Sequence, residues 1–230
     1  SYSATLKTLA SELDSLPGAL TTNQVRRYSR HIEKHWNMLL GRLLPQGAEL
    51  MVSATDTQVA ELIENLKQGN IKFQKKHVEI SSSKKRDILS SNMVNTLNRW
   101  IRQITEEQKQ LVDEWSLKMN DIGEERLKHR MLLVDEFSKI LQGRNSSTSY
   151  KADLMELLVD LDTTRNPEYL EMLQHNRNLT HHLLVDLYST LDQEQHRHLI
   201  NNIVSLAGDF DSLTCQTNNR NTVFFHINTE

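Results

Sequence analysis

Read as apolar and polar positions, the chain is a succession of helical stripes separated by short polar breaks. Residues 3–16 (SATLKTLASELDSL) set Leu6, Leu9, Leu13 and Leu16 three or four apart, one face of a helix that Pro17-Gly18 closes. The spacing resumes through Val25, Tyr28, Ile32, Trp36, Leu39 and Leu43. It predicts a second helix that buries this stripe and turns at Pro45-Gln46-Gly47. Val59, Leu62, Ile63 and Leu66 mark a third helix, from Thr55 past Gly69 to about Val78, and Ser81-Ser82-Ser83 breaks the pattern. A fourth, from about Lys85 to Gln103, turns Ile88, Leu89, Leu97, Trp100 and Ile101 inward. Leu111, Trp115 and Met119 then lead to Leu127, Met131, Val134, Phe137 and Leu141. One glycine costs only about 1 kcal/mol inside a helix, so continuation through Gly123 is expected.

The polar run 143–149 reads as a loop and as the best candidate for a mobile one. Leu154, Leu157, Leu158 and Leu161 give a short helix, and Asn166-Pro167 supplies the N-cap and first residue of the next. That helix carries Tyr169, Leu173, Leu183, Leu184 and Leu187. The last strong stripe is Leu199, Ile200, Ile203, Val204, Leu206 and Phe210. Beyond Leu213 the periodicity stops, so residues 214–230 read as a C-terminal tail in which Val223-Phe224-Phe225 docks or pairs as a short strand. No stretch alternates with period two. The expectation is an all-α fold: a multi-helix bundle of about eight or nine antiparallel helices with short loops, forming a single all-helical domain over residues 1–213.

The helix starts repeat. LTTNQ at residues 20–24, ATDTQ at 54–58, ITEEQ at 104–108 and LDQEQ at 191–195 share one form. Each is an apolar residue, Thr or Asp, two further residues and Gln, at the head of a helical pattern. This is the pattern of a capping box. Thr21, Thr55, Thr105 and Asp192 accept from the backbone N–H at N3, while Gln24, Gln58, Gln108 and Gln195 reach back to the N-cap N–H. Leu20 with Val25 and Ala54 with Val59 add hydrophobic staples, whereas Lys109 and His196 occupy that position in the other two. The motif specifies where helices begin and says little about chemistry.

Composition narrows the class. With 37% hydrophobic and 25% charged residues, 7 Gly and 3 Pro, the chain suits long helices joined by short loops. A net charge of −3 argues against a generalised nucleic-acid binder. The single Cys215 excludes an internal disulfide and a cysteine-based metal cluster. No apolar run approaches the roughly 18–20 residues that cross a bilayer.

Candidate chemistry is sparse. His31 and His35 stand four apart, a spacing that can place two imidazoles on one metal, but Ile32 sits where the zinc-protease pattern needs Glu. The same spacing suits two half-exposed histidines beside the Trp36 stripe. His175, His181, His182, His196 and His198 gather toward the C-terminal helices, where a partly buried cluster senses pH and an exposed one does nothing. Lys72, Lys75, Lys76, Lys84, Lys85 and Arg86 form the one basic run, suited to anionic head groups or an acidic partner, or else to solvating a helix end. Asp153, Glu156, Asp160, Asp162, Glu168 and Glu171 form an acidic stretch. No phosphate-cradling glycine loop, GxSxG or HExxH occurs, so no catalytic residue and no cofactor are assigned.

The segments YSATLKTLASEL, LTTNQV, RLLPQGAELMVSATDTQVAEL, RWIRQITEEQKQLVDEW and YSTLDQEQHRHLINNIVSLAGDFDSL resemble an uncharacterised family of Gram-negative bacterial lipoproteins, from about Tyr2 to Leu213. The resemblance implies an upstream lipoprotein signal and a further helical segment, neither carried by this chain. It implies a periplasmic domain reaching the membrane only through an N-terminal lipid anchor, and it implies no activity. Residues 20–24 also match the LTxxQ motif of periplasmic stress chaperones of the Spy and CpxP type; residues 104–108 depart from it only by Ile for Leu. The leading expectation is a non-enzymatic envelope domain that binds an unknown protein partner or the envelope surface, with no nucleic acid. A holdase chaperone is the alternative, and a metal-dependent hydrolase using His31 and His35 ranks third.

Overall fold

The computed structural model describes residues 2–16, 19–159, 161 and 163–224, with side chains as far as Ser212. Among them are nine helices and no strand, so the fold is all-α. In order they are α1 (Tyr2–Asp14), α2 (Thr22–Ser53), α3 (Asp56–His77), α4 (Ser82–Ile101), α5 (Glu106–Lys118), α6 (Gly123–Gln142), α7 (Tyr150–Val159), α8 (Pro167–Ser189) and α9 (Gln193–Phe224). The Pro17-Gly18 stop, Asp160, Asp162 and Phe225 lie outside the described residues, as do the side chains of Val223 and Phe224.

Every repeated Gln motif opens a helix with a reciprocal bond pair. In α3 the Gln58 N–H donates to Thr55 Oγ1 at 3.2 Å, and the Thr55 N–H donates to Gln58 Oε1 at 2.9 Å. The corresponding pairs are 3.3 and 2.9 Å for Thr21 and Gln24, 3.2 and 3.0 Å for Thr105 and Gln108, and 2.8 and 3.3 Å for Asp192 and Gln195. Each box satisfies donors that a bare helix start leaves orphaned. Asn166 caps α8 by accepting from the Tyr169 N–H at 2.7 Å, and Ser81 caps α4 by accepting from the Lys84 N–H at 3.3 Å.

The chain divides into two compact units. One comprises residues 1–31, 91–113 and 181–230. Its core joins Leu6, Ala10 and Leu13 of α1 to Ile203 and Ala207 of α9, with Leu20 and Val25 completing it. Tyr2 meets Phe210 edge-on at 4.5 Å, and Lys7 pairs with Asp211 at 2.7 Å. Asn202 of α9 donates to the Arg99 and Trp100 carbonyls at 3.0 and 2.9 Å, occupying acceptors that the end of α4 leaves open. Arg102 follows with φ 66°, the left-handed residue that ends many helices.

The other unit comprises residues 32–90 and 114–180. Its core is Ala48, Val59, Ile63, Val134, Leu141, Tyr150 and Leu154, with α3 packed on α6 and α6 on α7.

Several expectations need correction. The helix does not turn at Pro45: α2 runs through it to Ser53. Proline removes the bond to the Gly41 carbonyl and costs about 3 kcal/mol in a helix interior. Gly41 and Pro45 are both exposed, so water can serve that carbonyl. Ile32, Trp36, Leu39 and Leu43 are exposed rather than buried, because the inward side of this part of α2 is Leu44, Ala48 and Met51. Met131, Leu184 and Val204 are likewise exposed.

The helix expected to continue through Gly123 is two helices. The break is built from polar backbone bonds: Asn120 and Asn176 exchange side-chain and main-chain bonds at 2.8 and 2.9 Å, and Asp121 Oδ1 accepts from the Gly123 N–H at 2.9 Å. The 143–149 loop is anchored rather than loose. Arg144, buried, donates to the Leu141 and Ala54 carbonyls at 3.0 and 3.1 Å and pairs with Asp56. Finally, the backbone of α9 stays helical past Leu213 to Phe224.

Candidate functional site

The four Gln motifs differ in what surrounds them. Among the described residues Gln24 and Gln58 bond only the threonines of their own caps. In the first unit Gln108 and Gln195 are buried and meet face to face. Gln108 Nε2 donates to Gln195 Oε1 at 2.8 Å, and Gln195 Nε2 donates to Gln108 Oε1 at 3.0 Å. Each Oε1 also accepts its own N-cap N–H. The remaining N–H of Gln108 reaches the Thr190 carbonyl at 3.2 Å, and that of Gln195 the Gln103 carbonyl at 3.0 Å. Both amides are therefore saturated, donors and acceptors alike. The pair locks the starts of α5 and α9 together and leaves no polar atom to hold a ligand.

The second unit carries the basic run. Lys72, Lys75 and Lys76 lie on the last turns of α3, and Lys84, Lys85 and Arg86 on the first turns of α4. Five are exposed; Lys85 is half-buried and pairs with Asp121 at 2.6 Å, which removes it from the free surface. Burial raises the Asp121 carboxyl, but the Lys85 ammonium and the Gly123 N–H outweigh it and hold the group below the usual carboxylate value.

Two further cations join from α6. His77, at the end of α3, titrates below the ordinary histidine value, first because it is partly desolvated and then because Lys76, Arg126 and Arg130 surround it with positive charge. Arg130 donates to Asn70 Oδ1 at 2.9 Å and lies over the Phe73 ring at 5.1 Å, while Phe73 stacks beside His77 at 4.7 Å. The sequence reading missed Arg126 and Arg130. They are near in space only because α6 packs on α3, which no local spacing reveals. Beside them α3 and α6 border a shallow groove of about 220 Å³, lined by Ile71, Leu127, Met131 and Val134 with Lys67 and Asp135.

The histidines do not form one site. His31 is exposed and His35 half-buried on α2, and among the described residues no group of three His, Cys, Asp or Glu is placed to hold a metal. His181 bonds Ser29 at 3.1 Å, His196 bonds the Tyr188 hydroxyl at 3.1 Å, and His175, in the other unit, meets the Lys118 carbonyl at 3.3 Å. His182 is exposed and His198 half-buried. The acidic stretch is dispersed: Asp153 accepts from Ser149 at 2.7 Å, while Glu156, Glu168 and Glu171 lie elsewhere on α7 and α8. Among the described residues, no helix is long and apolar enough to cross a membrane.

Residues 1–170 match the model of a family described as a family of unknown function (DUF6279). None of the curated proteins matches the chain, and no solved structure does.

Proposed function

We propose that this chain, which belongs to the family of unknown function whose model covers residues 1–170, is a non-enzymatic binding domain. It docks an acidic protein partner or the anionic envelope surface through the basic end of its second unit. The observation that carries this reading is the convergence of cations from α3 and α6, Lys76, Arg126 and Arg130, around His77. Each lysine or arginine close to an anionic surface contributes about 1 kcal/mol, and the attraction falls off within a Debye length. Resemblance to envelope lipoproteins supports a periplasmic setting, with a lipid anchor holding the domain at the membrane.

Charge reversal tests the surface. The variant Lys75→Glu, Lys76→Glu, Lys84→Glu and Arg126→Glu spares Lys85 and Arg130, whose bonds to Asp121 and Asn70 are structural. It is expected to keep wild-type helicity and to lose at least about tenfold in co-sedimentation with anionic vesicles, or in recovery of a crosslinked envelope partner. Binding unchanged in both assays removes the assignment.

A second reading, a holdase chaperone, is favoured by the exposed Ile32, Trp36, Leu39 and Leu43 on α2. Such a protein suppresses aggregation of an unfolding client at near-stoichiometric ratio. Absence of suppression rules it out.

A further inference from the structure

Between Ile32 and Leu50, α2 presents Ile32, Trp36, Leu39, Leu43, Gln46 and Leu50 at steps of four and three, the alternating d and a positions of a heptad. The apolar five are 44–64% exposed. Ala48, on the opposite side of the helix, is buried, and the Tyr150 hydroxyl donates to its carbonyl at 3.3 Å. Packing at Ala48 therefore sets the rotation of the helix and turns the stripe outward. Gly41, Pro45 and Gly47 all fall off the a and d positions.

Three observations bear on what covers the stripe. Its repeat is 3.5 residues, the seam one helix offers another, and of the exposed large apolar residues of α2 only Met38 and Val52 lie off it. Its flanks, Glu33, Leu40 and Gly47 at e and His35, Arg42 and Glu49 at g, carry charges of both signs, whereas a helix lying on an anionic bilayer is flanked by lysine and arginine. The pattern is also its own complement. In one antiparallel register Ile32 meets Leu50 of a second copy, Leu39 meets its Leu43, and the indole of Trp36 meets its Gln46. About 600 Å² per copy, or about 1,200 Å² for the pair, would be covered, the lower edge of a specific interface.

We infer that this stripe is a self-association seam through which two copies of the chain pair in antiparallel fashion. The pairing is independent of the basic end of the unit. At the low end of interface sizes the pairing is expected to be weak, with a dissociation constant of about 30–100 µM.

Sedimentation velocity from about 1 to 300 µM reads the outcome directly. The wild-type protein is expected to shift from monomer to dimer across that range. Leu39→Lys with Leu43→Lys, both at exposed positions, is expected to weaken association at least about 100-fold, with helicity and melting unchanged at about 1 µM, where both proteins are monomeric. Leu117→Lys, equally exposed but on α5, should leave the dimer intact. A wild-type monomer at the highest concentration overturns the inference. So does a dimer that survives the double lysine variant, or a monomer whose stripe is taken up by an unfolded client.

Discussion

Replacing Gln108 by leucine is expected to lower the free energy of unfolding by about 3 kcal/mol, measured by urea denaturation. The leucine nearly matches the volume, so packing changes little and hydrogen bonding decides the result. The Thr105 N–H loses its acceptor, the Thr190 carbonyl loses a donor, and Gln195 keeps its amide buried with one donor and one acceptor bond fewer. Each unmade bond at a buried polar atom costs about 1–3 kcal/mol, whereas the same group facing water costs little. Gln58→Leu, at an exposed cap of the same design, is therefore expected to cost no more than about 1 kcal/mol. Changing Gln108 and Gln195 to leucine together should cost less than the sum of the two, with a coupling of at least about 1 kcal/mol, because the second substitution removes a partner already stranded. Equal effects at Gln58 and Gln108, or strict additivity, would show that the pair is not a unit.

Gly123→Ala is expected to cost about 2–3 kcal/mol by the same measurement, against the usual ranking of helix formers. A β-carbon at Gly123 would stand 2.9 Å from the His77 carbonyl oxygen and 3.1 Å from Asp121 Oδ1. The first of these is backbone at the end of α3 and cannot swing aside. Gly47, inside α2 in the same unit, has nothing within 4 Å of such a carbon. Gly47→Ala should accordingly stabilise by about 0.5–1 kcal/mol, the entropy that glycine loses on folding. A Gly123→Ala protein stabilised to the same degree would mean that α3 and α6 do not approach as closely as described.

These two sites mark how far the sequence could be read. Local signals were legible because capping, turn chemistry and periodicity depend on neighbours along the chain. The boxes at Thr21, Thr55, Thr105 and Asp192 and the Asn166-Pro167 start all lie at the heads of helices. What depends on tertiary contact was not legible. Nothing in ITEEQ or LDQEQ distinguishes a glutamine that will be buried against its counterpart from one that stays in water. Gly123 reads as a minor propensity cost until His77 is seen against it. The Trp36 stripe has the spacing of a core face, and only the burial of Ala48 shows which side of α2 the unit uses.

The basic surface was partly legible for the same reason. Lys75, Lys76 and Lys84 are close in sequence, separated only by the turn between α3 and α4. Arg126 and Arg130 come from a distant helix, and Lys85 leaves the free surface because it meets Asp121. Composition alone weighs all of these charges alike.

The most direct test of the view that the repeated glutamines are helix-start devices, two of them joined, is side-chain amide exchange followed by proton–nitrogen NMR in heavy water. The side-chain amide protons of Gln108 and Gln195 should persist long after that of Gln58 has gone, with cross-peaks linking each to the other. If all of them exchange together at the rate of a free glutamine, or if Gln108 and Gln195 show no mutual contact, the joined caps do not exist and the structural reading of the motif is wrong.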